Sequence, residues 1–360
     1  MNPLLGILFH WLGGLAAGSF YAPFRQVRRW SWETYWLVAG IFSWLAAPWV
    51  FALLLVPGTT AVLQEAGLGK LFWPWFFGVL WGVGGLTFGL TMRYLGMSLG
   101  MAVALGYCAA FGALVPPLFH GTFVSELLGT RSGLTVLAGI VVCVLGIAVA
   151  GMAGMSKEKE LPTEAKAEAV KEFHFRKGLV VATVSGVMSS CFAFGLAAGD
   201  PLKAIAAAHG AAPLWQGLPV LIVVMAGGFT TNFIWCIILH RRNGSGGEYF
   251  AAAGRDGKPD RVPLLRNWIF SALAGTIWYF QFFFYSMGES QMGKYGFSSW
   301  TMHMASIILF STLWGIALKE WKGTGSRTRW LLAAGLALLV LSTLIVGYGN
   351  FLDGSSSSGH

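Results

Sequence analysis

Charge is scarce in this 360-residue chain. Asp, Glu, Lys and Arg together make up 11% of it, less than half of the about 25% usual in soluble proteins. Apolar residues reach 56%, with 49 glycines besides, and the mean hydropathy is +0.65. A soluble fold could not hide this much apolar surface, so the composition excludes one and calls for lipid. Cysteine is also rare: Cys108, Cys143, Cys191 and Cys236 each lie inside an apolar run, with no CxxC pair. That excludes a disulfide framework and a zinc site and leaves small packing residues. No glycine-rich phosphate loop sits in a strand–turn–helix context, so no nucleotide and no other cofactor is expected. Nor is there an HExxH on a helix or a GxSxG, which argues against a membrane protease or esterase. The net charge of +9 does not point to nucleic acid, because the positive residues occupy short loops between apolar runs.

What is present is length without charge. Ten runs of 20 to 26 residues contain no Asp, Glu, Lys or Arg: 3–24, 35–57, 72–92, 97–119, 133–152, 178–198, 214–239, 267–288, 296–318 and 330–350. About 20 residues of helix cross a hydrocarbon layer of about 30 Å. Trp and Tyr gather at the run ends, as at Trp30, Trp32, Tyr35, Trp73 and Trp75, the pattern of interfacial anchoring. The expected fold is an all-α membrane protein of ten transmembrane helices in a lipid bilayer. The tail 351–360 is polar and low in complexity and is expected to be a tag remnant.

Loop charges give an orientation. Loops after odd-numbered runs hold 20 of the 24 Lys and Arg, and loops after even-numbered runs hold 4. Basic loops stay in the cytoplasm, so both termini are expected on the periplasmic side of a bacterial inner membrane. The charge phase also differs between halves: runs 1–5 carry their main cluster after the first run, runs 6–10 after the second and fourth. This implies two five-helix repeats of inverted topology, residues 1–152 and 178–350, joined by a charged cytoplasmic linker, 153–177, expected to form a surface helix. Gly18-Ser19-Phe20 is faintly similar to Ser190-Cys191-Phe192. Inverted repeats are common in secondary transporters, which bind substrate near the midplane where the halves meet.

Polar groups inside apolar spans are costly and therefore informative. His10 and His303 are the histidines of the run interiors and fall at similar depths, so they can face one cavity. Histidine exchanges protons near neutral pH. Trp278, Gln281 and Tyr285 share one helix face, three and seven residues apart. An aromatic plane beside an amide and a phenol suits a sugar, whose C–H face stacks while its hydroxyls hydrogen-bond. The same aromatics also fit plain helix packing. Asn232, Tyr21 and Tyr107 are further candidates. Four carboxylates stand at run ends: Glu33, Asp200, Glu289 and Glu320. Glu33 can cap the second helix or serve as a proton site. Lys319-Glu320 fits an interface ion pair.

Several motifs are more specific. Phe20-Tyr21-Ala22-Pro23-Phe24 leads into a basic stretch and Trp30-Ser31-Trp32-Glu33-Thr34. Trp81-Gly82 precedes Gly89-Leu90-Thr91-Met92-Arg93-Tyr94-Leu95-Gly96-Met97-Ser98. Trp278-Tyr279 with Gln281-Phe282-Phe283-Phe284-Tyr285 and Lys319-Glu320-Trp321 complete the series. In order and spacing it resembles the bacterial L-rhamnose–proton symporter family, within the drug/metabolite transporter superfamily, over roughly residues 3–350. His10 and His303 match histidines of that pattern. The resemblance implies a ten-helix, two-repeat fold and proton-driven uptake of a 6-deoxy sugar, with L-rhamnose and a proton as partners. A carrier or exporter of another sugar or small metabolite is the alternative. No carboxylate lies inside a run, so His303, His10 and the edge residue Glu33 are the candidates for the coupling proton.

Overall fold

A backbone in lipid must satisfy its own N–H and C=O groups, so apolar runs of this length fold as helices. In the computed structural model, which describes residues 2–95, 97–160, 174–251, 261–319 and 321–357, the elements are helices joined by turns and loops. We label the long ones α1 (Pro3–Ser19), α2 (Trp32–Leu55), α3 (Thr59–Leu95), α4 (Met97–Phe119), α5 (Arg131–Glu160), α6 (Phe175–Ala198), α7 (Leu218–Asn243), α8 (Leu264–Glu289), α9 (Ser299–Ala317) and α10 (Ser326–Ser357). Among the described residues, nine helices are long and apolar enough to cross a membrane. The long helix outside that set is α8, whose 26 residues include Asn267, Ser271, Thr276 and Gln281. These lower its hydropathy, and three of them, Asn267, Ser271 and Gln281, are buried against other helices.

Helix ends follow the local sequence. Asn2 caps α1 by accepting the Leu5 amide at 3.2 Å, and Pro3 takes the first position, where no N–H is needed. Gly244 ends α7 with φ 64°, a left-handed turn that glycine adopts without a Cβ clash. α3 starts earlier than its apolar run, at Thr59, and bends at Gly67, φ 65°. α2 contains a π-helical turn, Ile41–Ala46, just before Pro48; proline lacks the N–H that a regular ladder would use there. The run 133–152 continues as helix to Glu160, and the final helix continues through Ser357 into the polar tail. The rest of the linker, 161–173, and Glu320 with its expected ion pair lie outside the described residues.

The packing is pairwise. α1 lies against α8 and α9, α6 against α3 and α4, α2 against α7 and α8, α7 also against α3, and α5 against α10. α4 and α9 touch at the centre. Small residues make the close approaches. A Cβ on Gly78 or Gly227 would collide with backbone across the α3–α7 contact, and one on Gly14 would collide with Ser306 of α9. The four cysteines are buried and free.

Candidate functional site

The site is built where α8, α1 and α9 meet. His10 projects from α1 and His303 from α9, both fully buried, with ring centroids 6.4 Å apart. Tyr285 of α8 stands beside both, at 5.4 Å from His10 and 5.2 Å from His303. Trp300 completes the group, 6.2 Å from His303 and 5.8 Å from Tyr285. Glycines leave room for the imidazoles: a Cβ on Gly13 would sit 3.3 Å from the His303 ring, and one on Gly288 would sit 2.7 Å from the His10 ring. Ser306 ties the two histidine-bearing helices together, donating to the carbonyls of His10 at 2.9 Å and His303 at 2.8 Å. Trp300 is fixed by donating its indole N–H to the Cys108 carbonyl of α4 at 2.9 Å.

The ring nitrogens of both histidines have no hydrogen-bond partner. The same holds for Gln281 Nε2, Thr301 Oγ1, Ser299 Oγ and the indole N–H of Trp278, all buried atoms. A buried polar group without a partner costs about 1–3 kcal/mol. Two unpartnered imidazoles side by side are therefore the mark of a polar ligand site rather than of a settled core.

A cavity of about 510 Å³ leads to this cluster and has Tyr285 in its lining. That volume falls within the ~300–1,000 Å³ usual for small-molecule sites. It lies between the end of α4 on one side and the ends of α6 and α8 on the other. At its mouth Lys203 Nζ lies 3.1 Å from Asp200 Oδ1 and 3.1 Å from Glu289 Oε2, which joins two of the run-end carboxylates noted in the sequence. His120 and Asp200, both exposed, carry the cavity to the surface at that end.

A second, much smaller space lies farther along α8 from Tyr285. Trp278, about two turns back along α8, lines a gap of only about 10 Å³ with Phe20, Trp36, Ser43 and Trp44. Its ring packs 4.2 Å from that of Phe20, and Trp44 closes the other wall, 6.1 Å from Trp36. The π-helical turn of α2 supplies Ser43 and Trp44, a common use of such turns at functional positions.

Of the residues singled out from the sequence, His10, His303 and Tyr285 meet directly, and Gln281 and Trp278 continue the same line along α8. The others stand apart. Asn232 accepts the Trp36 indole N–H at 3.1 Å and donates to the Gly228 carbonyl at 2.9 Å, so its amide is engaged between α7 and α2. Tyr21 is 60% exposed. Tyr107 is half-buried on α4, near Phe111. Glu33 lies at the far end of the bundle, where it accepts from Asn243 and Ser245. At the start of α2, Glu33 stands in the first turn and also takes its own backbone N–H, and Glu248 accepts the amide of the N-cap residue Ser31 at 2.7 Å. Sequence reasoning missed Trp300, Thr301 and Lys203. Trp300 stands three residues before His303 in the chain, but only the fold shows its ring packed beside the imidazole.

A family model described as L-rhamnose-proton symport protein (RhaT) matches residues 2–351. The chain is 40% identical over 347 residues to an L-rhamnose-proton symporter of Mannheimia succiniciproducens, covering 96% of this chain and 98% of that protein. It is 39% identical over 348 residues to the L-rhamnose-proton symporter of Cronobacter sakazakii, covering 96% and 97%. The one from Salmonella paratyphi A is 38% identical over the same length, with the same coverage. With the family model covering nearly all of the chain and relatives near 40% identity, the chain belongs to the L-rhamnose-proton symport family.

Proposed function

We propose that this protein carries L-rhamnose together with protons into the cell by alternating access. Family membership supports the substrate pair. The observation that carries the mechanism is the pair of unpartnered, buried imidazoles beneath a cavity open at one end. Rhamnose entering the cavity would meet Tyr285 first, then Gln281 and the face of Trp278. Its hydroxyls would supply the partners that the histidines and Gln281 lack. A protonated His303 has two N–H donors and no acceptor, so proton and sugar complete each other's hydrogen bonding. Each then raises the affinity for the other by the same factor, as symport requires. His303 is ranked first for the proton and His10 second. Glu33, remote from the cluster, is the third candidate.

We also read the fold as ten spans in two inverted five-helix repeats. The helix contacts support this, because the most extensive of them map onto one another when each helix is exchanged with the one five places on. The α1–α9 contact becomes α6–α4, α1–α8 becomes α6–α3, and α2–α8 becomes α7–α3. The pairs α2–α7, α4–α9 and α5–α10 exchange with themselves. The 20-to-4 division of basic residues supports cytoplasmic odd loops, an inner-membrane location and periplasmic termini. The cavity then opens to the periplasm.

The test is uptake of labelled L-rhamnose into proteoliposomes with and without an imposed inward proton gradient. Accumulation above the external concentration is expected only with the gradient. Equal accumulation without it, or none in either case, overturns the reading.

A further inference from the structure

α7 runs from the cavity end, at Gly217, to the opposite end, at Asn243, and α8 runs back. At that opposite end the two halves of the chain are joined by a layer of buried polar side chains remote from the sugar cluster, one of which is Glu33, ranked last of the three proton candidates. Glu33, on α2, accepts at one oxygen from Ser245 Oγ at 2.5 Å and from Asn243 Nδ2 at 2.9 Å. Ser245 spends its proton on that bond, so it accepts from His240 Nδ1, 2.9 Å away. His240 Nε2 meets the Tyr249 hydroxyl at 2.7 Å. Burial, with Cys236, Glu248 and Glu33 nearby, pushes the Tyr249 phenol above its ordinary range, so it stays a donor. Beside this chain, Glu248 takes the Ser31 amide, the Ser31 hydroxyl at 2.6 Å and the Thr34 hydroxyl at 2.7 Å. Asn267 pairs in both directions with the backbone of Arg28, at 3.0 and 2.8 Å.

Every one of these bonds, the internal His240 links apart, crosses from residues 28–34 to residues 243–267. The groups are enclosed: Glu33 is 3% exposed, Glu248 7%, Ser245 and Asn267 fully buried. Trp30 seals the layer against Tyr249 and Trp268. Two local features deliver it. Gly244 turns the chain after α7 so that Ser245 faces back on Glu33. Arg29 takes φ 62°, a conformation rare outside glycine, in the turn that brings Trp30 and Ser31 into place. The Trp278–Trp44 constriction lies between this layer and the cavity.

We propose that this layer is the gate of the transport cycle at the end opposite the cavity, with Glu33 and Glu248 as its two latches. Closed, it holds the state seen here, in which the sugar path is open at one end only. Opened, it releases sugar on the other side. The inference rests on the alternating-access reading above and extends it to residues that do not touch the sugar. Losing one charge-assisted hydrogen bond shifts a two-state equilibrium by about tenfold.

Cys236 reports the state directly. It lies one turn before His240 on α7 and is fully buried under the layer. With the other three cysteines changed to alanine, Glu248→Gln and Ser245→Ala are each expected to raise the rate of N-ethylmaleimide labelling of Cys236 at least fivefold. The protein must elute and melt like its parent. Unchanged labelling in such folded variants overturns the proposal. A second variant pair guards against misfolding: Thr34→Cys with Glu248→Cys, cross-linked across the contact by a short bismaleimide. Cross-linking is expected to stop rhamnose uptake more than tenfold while tryptophan fluorescence still reports rhamnose binding. Uptake at the uncross-linked rate overturns the gate. A parent protein that takes up no rhamnose at all overturns instead the transport reading, and the labelling result stands apart from it.

Discussion

A buried imidazole with neither nitrogen bonded is unfavourable unless something else occupies its donors and acceptors in the working cycle. His10 and His303 are both in this condition, side by side. His303→Gln keeps the ability to hydrogen-bond but cannot carry a proton. It is expected to abolish uphill accumulation of labelled rhamnose while counterflow exchange in the same proteoliposomes persists. Preserved accumulation in both His303→Gln and His10→Gln would transfer the proton to Glu33 or another edge carboxylate. Trp278→Ala and Gln281→Ala are each expected to weaken rhamnose binding by about 1 kcal/mol or more, a stacking or hydroxyl contact each, as read by calorimetric titration. Tyr21→Phe, on a side chain 60% exposed, is expected to bind like the parent. Asn232→Ala removes the acceptor of the Trp36 indole, so its expected effect is on melting temperature rather than on sugar affinity.

At the scale of the element, helix contacts set by glycine decide how closely backbones approach. Gly227 meets the backbone of Trp75, Gly78 and Val79 across the α3–α7 contact, whereas a Cβ on Gly89 or Gly106 would meet nothing within 4 Å. Gly227→Ala is expected to cost about 1–3 kcal/mol by overpacking and to lower the melting temperature in detergent. Gly89→Ala is expected to leave it unchanged or raise it slightly, since alanine favours helix over glycine. The α2 segment shows the limit of reading elements from composition. Its apolar run specifies a helix, but the π-helical turn at Ile41–Ala46 depends on Pro48 together with the space beside Trp278, and only the first is written in the sequence.

At the scale of the molecule, the cavity is at one end and the polar layer at the other, and the membrane orientation decides which end faces the cell. A reporter fused after residue 350 is expected to behave as periplasmic, and one inserted in the 153–177 linker as cytoplasmic. Alkaline phosphatase and fluorescent-protein fusions check this directly. The reverse pattern would show that the loop charges mislead.

Hydropathy and charge placement determine on their own that this chain is helical and membrane-embedded, because each run must satisfy its backbone internally and no charge can be left in lipid. The periodicity of α8 likewise puts Trp278, Gln281 and Tyr285 on one face, since helical spacing is a local property. Which residues from different helices meet is not local. His10 and His303 stand 293 positions apart in the chain, and their similar depth allowed a meeting without requiring one. Asn232 had the same chemistry and ended in a packing contact. Glu33 had the signature of a helix cap and stands in the first turn of α2, but nothing in the sequence announced that Glu248, a residue of a loop whose charges signalled topology alone, joins it there. Polar partners across a helix interface are chosen by the rotation of one helix against another and by where small residues let backbones close. Those are properties of the packed bundle, and tertiary structure alone decided them.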